Sequence, residues 1–209
     1  MISASRIAFV AALAASVSGI ALASPVLQFH SDKIHHGAPR GTDRKLSVLY
    51  DQTFERLRQC LRVANSGSNV TAAADDFVVP KGHTWSVKEV DVIGKYYDGY
   101  GPNKSENVTF YADDNGKPGK TVKNGTLVNL SGADDGGSLA IAFPKGVKLK
   151  PGHYWVSVVA NLDFNDGGEW GWELQTTHEG DDAVYQNGSS GWTAIGSGDL
   201  MFTLKGKSK

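Results

Sequence analysis

From residue 74 onward the chain consists of short runs of β-branched and aromatic residues, broken by Gly, Asp, Asn or Pro roughly every 8 to 15 positions. That spacing predicts an all-β domain, a sandwich or a barrel. Strands are expected near residues 76–79, 85–97, 107–112, 121–122, 126–130, 138–143, 147–149, 153–160, 170–174, 183–186, 191–194 and 199–204. Two triplets alternate cleanly: Leu139, Ile141, Phe143 and Leu200, Phe202, Leu204 each present three apolar side chains on one face. In the 85–97 run, Trp85 and Val87 share one parity, and Val90 and Val92 take the other. A regular strand would turn half of them to water, so a one-residue bulge is predicted near Lys88 and Glu89. The segment 113–119, DDNGKPG, joins an Asn-Gly pair to a later Pro-Gly and predicts a tight hairpin between Tyr111 and Thr121.

The pattern changes before residue 74. Over 53–64, Phe54, Leu57, Cys60, Leu61 and Ala64 recur three or four positions apart, with Arg56, Arg58 and Arg62 elsewhere on the wheel. This predicts a short amphipathic helix, closed by the breaker run NSGS at 65–68. Residues 24–45 lack apolar periodicity and read as a flexible arm; the irregular spacing of His30, His35 and His36 suits a solvated tail better than a metal site. Residues 1–23, MISASRIAFVAALAASVSGIALA, have the layout of a secretory signal peptide, with cleavage after Ala23. Their uncharged stretch falls short of the roughly 20 residues that cross a bilayer. The expected product is a secreted monomer, extracellular or periplasmic, with no membrane span after cleavage and its domain at 46–209.

Several segments carry a family resemblance: LYDQ at 49–52, ADDFVVPKGHTWSVKEVDVIGKYY at 74–97, VTFYADDNGKPG at 108–119, YWVSVVANLDFNDGGEWGW at 154–172 and DLMFTLKG at 199–206. In this order they resemble a group of secreted bacterial β-sandwich domains that occur alone or as modules of larger exported proteins. The resemblance implies an antiparallel β-sandwich of jelly-roll type and export from the cell. It implies no activity, since the group has none securely assigned. The chain departs from the group over 53–69, where a polar, strand-prone linker is replaced by the Arg-rich segment with Cys60.

Charge and composition remove several function classes. The 209 residues are 40% hydrophobic and 21% charged, with a formal net charge of -1, which excludes the broad positive field of nonspecific nucleic-acid binding. Residues 24–64 carry a net +3 and residues 65–209 a net -5, so the two parts attract each other. Cys60 is the single cysteine; no internal disulfide is possible, and a small apolar packing residue is the expected role. No nucleophile elbow, zinc-protease motif, P-loop or dinucleotide fingerprint is present. The Asp pairs at 75–76, 113–114, 134–135 and 181–182 read as solvated turn residues rather than a glycosidase pair. No catalysis and no cofactor are therefore expected. Structural calcium is the one ionic option, from Asp163, Asn165 and Asp166 or from the oxygens at 113–115, with turn formation as the competing role. Six N-x-S/T sequons are expected to be unmodified in a bacterial export route.

Aromatic residues give the most suggestive pattern. Trp170 and Trp172 share a strand face, Trp155, Tyr185 and Trp192 fall in other strands, and Glu173 adds a polar group. Rings for stacking beside a few polar groups suit a carbohydrate platform, with core packing as the competing role. The loop YYDGYG at 96–101 is a second candidate contact surface. The expected function is a secreted noncatalytic module for a glycan or cell-wall polysaccharide; a structural or adhesive protein binding an extracellular protein is the alternative, and a hydrolase the third. Solvent exposure of Trp170, Trp172 and Trp192 separates them.

Overall fold

The computed structural model describes residues 28–29, 46–54, 56–66 and 69–209. The leader at 1–23 lies outside the described residues, as does the arm at 24–45 apart from Gln28 and Phe29. The elements run β1 Gln28–Phe29, β2 Ser47–Gln52, β3 Arg56–Arg62, β4 Ala64–Ser66, β5 Asn69–Val79, β6 Trp85–Val92, β7 Gly94–Tyr97, β8 Ser105–Asp113, β9 Pro118–Leu130, β10 Ala133–Asp135, β11 Ser138–Leu149 and β12 Gly152–Asn161. A four-residue helix α1, Phe164–Gly167, precedes β13 Glu169–Gln175, β14 Val184–Asn187, β15 Thr193–Ala194, β16 Asp199–Leu200 and β17 Phe202–Ser208. The fold is all-β and sandwich-like, and its pairings are antiparallel except β4 with β12.

Two sheets face each other across the core. One has the order β10-β11-β6-β17-β2; in the other, β5 and β12 pair centrally, flanked by β14 and β15 on one side and β8 and β9 on the other. Val87, Val90, Val92, Leu139, Ile141, Phe202 and Leu204 from the first meet Phe77, Val108, Phe110, Val156 and Val158 from the second. Rings cross the gap edge to face: Phe77 with Phe202 at 6.4 Å and Phe110 with Phe143 at 5.9 Å. Both alternating triplets are buried, as their pattern predicts.

The bulge lies where the parity switch puts it. Val87 pairs with Gly206 and Glu89 with Lys205, so Lys88 has no residue opposite, and Trp85, Val87, Val90 and Val92 all point inward. The predicted hairpin joins β8 to β9, with Asn115 and Gly116 at φ 55° and 74° and Asp114 N–H donating to the Lys117 carbonyl. Two positive-φ residues in a two-residue loop match the right-handed twist of the strands.

The helix expected over 53–64 is not formed: Arg56–Arg62 is strand β3, between β13 and β1. Cys60 pairs with Glu173 but Leu57 with Leu174, so Arg58 and Gln59 have no residues opposite on β13. That interruption gives a strand the three-and-four spacing of a helix. A helix this short is marginal alone, whereas the strand bonds to a neighbour on each side. Cys60 is buried, in keeping with its packing role.

Strand β13 belongs to a third sheet, of order β1-β3-β13-β16 with β7 also paired to β13, which meets the first sheet where β6 leads to β7 and β16 to β17. Ile93 N–H donates to Met201 O, Met201 N–H to Glu173 O and Glu173 N–H to Ile93 O, at 3.1, 2.9 and 2.8 Å, a closed ring of three backbone bonds. This ring carries Trp172 inward.

Candidate functional site

In β12, Tyr154, Val156, Val158 and Ala160 point into the main core, so His153 and Trp155 belong to the opposite face of that sheet. There Trp155 packs with Ala74 and Val184 in a small separate cluster, against which the half-buried Tyr111 and Trp192 lie. Trp155 is nonetheless completely enclosed. Tyr111 and Trp192 meet edge to face at 5.9 Å, and the His153 ring stacks beside Trp155 at 6.0 Å.

Polar groups gather beside these rings. His153 Nε2 is 2.5 Å from Asp76 Oδ2 and 3.9 Å from Asp181 Oδ2, while its Nδ1 faces Asp113 Oδ1 at 3.6 Å. Asp113 is fixed by the hairpin, accepting from Gly116 N–H at 3.1 Å and from Trp155 Nε1–H at 2.9 Å. Asp76 also accepts from Asp181 N–H at 3.0 Å, so the loop between β13 and β14 is tied to β5. Its carboxyl is pushed up to about 6, chiefly by burial, against the opposing pull of the His153 contact. At Gly180, φ is +88° and a Cβ would collide with the Asp76 carboxylate, so glycine is required for this approach.

A second His–Asp pair sits at the same end of the sheets. His178 Nδ1 lies 3.0 Å from Asp199 Oδ1 and 3.7 Å from Asp182 Oδ1, and Asp199 also accepts from Glu179 N–H. Burial lowers the His178 pKa, but the facing Asp199 and Asp182 outweigh it and raise the value. Asp75, fully buried between the sheets, accepts from Gln52 Nε2–H and from the Leu200 and Asp76 amides; burial and then Asp199 hold its pKa well above the carboxylate range.

The residues proposed for a carbohydrate platform do not come together on one exposed face. Trp170 and Trp172 are core residues with no exposed surface, and their indoles donate to the carbonyls of Gly137 and Met201 at 2.6 and 2.8 Å. Closed off in this way, neither can stack on a sugar. Glu173 is on the same β13 strand, and Tyr185 packs against the main core. Trp155 and Trp192 meet in the outer cluster, Trp155 fully enclosed and Trp192 half buried at its margin. Of the proposed calcium ligands, Asp163 caps α1 by accepting from Asn165 N–H, and Asp166 pairs with Lys104; Asn165 is exposed. The only group of three metal-type ligands within one ion's reach, among the described residues, is Asp76, His153 and Asp181. Sequence reasoning read Asp76 and Asp181 as turn residues and gave His153, at the start of a predicted strand, no role, although its parity against Val156 and Val158 already set it on the outer face.

At the far end, the 96–101 loop packs on α1 through Gly101 N–H to Gly167 O. Tyr96 is tied by its hydroxyl to Asp134 and Asn103, Tyr97 lies under Arg62 and Lys95, and Tyr100 is 99% exposed. Models of known protein families give no match to this chain, and curated protein sequences give no significant one. Among the described residues no helix is long and apolar enough to cross a membrane.

Proposed function

We propose that this protein is a secreted, noncatalytic binding module on a jelly-roll sandwich, and that it takes a glycan, such as a cell-wall polysaccharide, on the outer face of the β5–β12–β8 sheet. The observation that carries the reading is the half-buried Tyr111–Trp192 pair, with the polar groups of His153, Asp113 and Asp181 beside it. Apolar ring surface next to a few fixed hydrogen-bonding groups is what a sugar's C–H face and hydroxyls require. Crossings of the chain between the two facing sheets, from β5 to β6, β9 to β10 and β11 to β12, support the jelly-roll assignment, and the leader-like residues 1–23 support export.

Retention on insoluble peptidoglycan, chitin and cellulose tests the reading. Wild type should be retained on at least one, and Trp192→Ala and Tyr111→Ala released, with melting temperatures within a few degrees of wild type. Retention unchanged in both variants, or none by wild type on any support, rejects it. Tyr100, bare at its loop tip, favours a second reading in which an extracellular protein is the partner.

A further inference from the structure

We propose that Asp76, His153 and Asp181 form a binding site for one divalent first-row transition cation. One imidazole nitrogen and two carboxylate oxygens, from β5, β12 and the loop between β13 and β14, lie within 4.8 Å of one another. An ion bound at about 2.0–2.2 Å from each donor needs the donors roughly 3–4 Å apart, so the 2.5 Å contact between Asp76 and His153 must widen and the longest separation must close by a fraction of an ångström. His153 stands at the start of its strand with its side chain 30% exposed, and Asp181 is on a loop at 46%, so both have room to adjust. Asp76 is the fixed member, 1% exposed and held by the Asp181 amide.

Charge balance points the same way. Three carboxylates, of Asp76, Asp113 and Asp181, converge on one imidazole, and among the described residues none of the three pairs with a Lys or Arg. Even a protonated His153 leaves this group negative, which a divalent cation corrects. The outer carboxylate also stands where a metal-binding histidine needs it: Asp113 faces Nδ1 while Nε2 faces the two ligand carboxylates, and Asp113 is itself held by the Trp155 and Gly116 N–H groups. At 3.6 Å this contact is electrostatic; drawn to hydrogen-bond distance as the ion binds, such a carboxylate fixes the tautomer that presents Nε2 to an ion. One nitrogen with two oxygens suits Zn²⁺, Mn²⁺ or Co²⁺, whereas Ca²⁺ seeks six to eight oxygens. The inference does not depend on the glycan reading.

The test is titration of the untagged full chain at neutral pH, with Zn²⁺ followed by calorimetry and Co²⁺ by visible absorption, no glycan being present. One equivalent should bind per chain. His153→Ala and Asp181→Asn should each weaken binding 10-fold or more, while His178→Ala and the triple change of His30, His35 and His36 to Ala leave it unchanged. Absence of stoichiometric Co²⁺ binding, or binding that survives both His153→Ala and Asp181→Asn, overturns the proposal. Should those variants misfold, Mn²⁺ added to wild type serves instead: the His153 ring resonances must broaden before those of His178 and His83, and the reverse order overturns it. Polysaccharide retention repeated after chelation separates the two readings, since loss of metal binding with retention intact leaves the glycan proposal standing.

Discussion

Trp155 donates its indole N–H to Oδ1 of Asp113, 2.9 Å away, and so joins the ring cluster on β12 to the turn of the β8–β9 hairpin. A wholly buried indole on the outer face of a sheet needs such a partner for its N–H. Trp155→Phe keeps a ring but leaves Asp113 without this donor, and should cost about 2–3 kcal/mol. Trp155→Ala, which also opens a cavity, should cost about 3–5 kcal/mol. Urea denaturation of the two variants checks both values; a neutral Trp155→Phe would show that packing alone holds the hairpin there.

Trp172 and Trp192 both belong to the platform that the sequence suggests, but their energetics should differ. Trp172 has no exposed surface, stands 6.1 Å from Trp170 and 6.3 Å from Phe202, and donates to Met201 O beside the three-strand node. Trp172→Ala should cost about 3–5 kcal/mol, a large share of a domain's stability. Trp192 is half buried at the margin of a small cluster, and Trp192→Ala should cost about 1 kcal/mol. Thermal unfolding measures both, and near-equal losses would contradict the burial difference.

What the sequence made legible follows from what kind of information fixes each feature. Alternation and turn chemistry are local, so the triplets at 139–143 and 200–204, the Lys88 bulge and the Asn115–Gly116 hairpin could be read directly. Strand β3 could not, because two unmatched residues give it a helical apolar spacing and its pairing with β13 lies more than a hundred residues away. Strand β2 escaped for a related reason: as an edge strand it is half exposed and shows little alternation. The platform misassignment had a different cause. Parity groups Trp170 with Trp172 but does not say which face meets the other sheet, and the node at Ile93, Glu173 and Met201 decides that. Asp76, His153, Asp113 and Asp181 converge only through the sheet order.

The outer face of the first sheet supplies a pH test away from the proposed metal site. Asp91 and Glu89 are both buried there and share Lys205, whose ammonium lies 2.9 Å from Glu89 Oε1 and also contacts Asp91 Oδ2; Asp91 Oδ1 is buried with no hydrogen-bond partner. Burial pushes the Asp91 carboxyl up to about 6, with the adjacent Glu89 adding to the rise and Lys205 opposing it. In the unfolded chain the same group titrates near 4. The folded state therefore binds the proton more tightly. The stability that this brings is fully present below about pH 4 and is lost as pH rises through about 6, by up to about 3 kcal/mol. Asp91→Asn cannot titrate, so between pH 4 and 6 the unfolding free energy of wild type should fall relative to that of the variant, as measured by urea denaturation at half-unit steps. Parallel curves for the two proteins across that window would mean that Lys205 holds Asp91 ionised throughout.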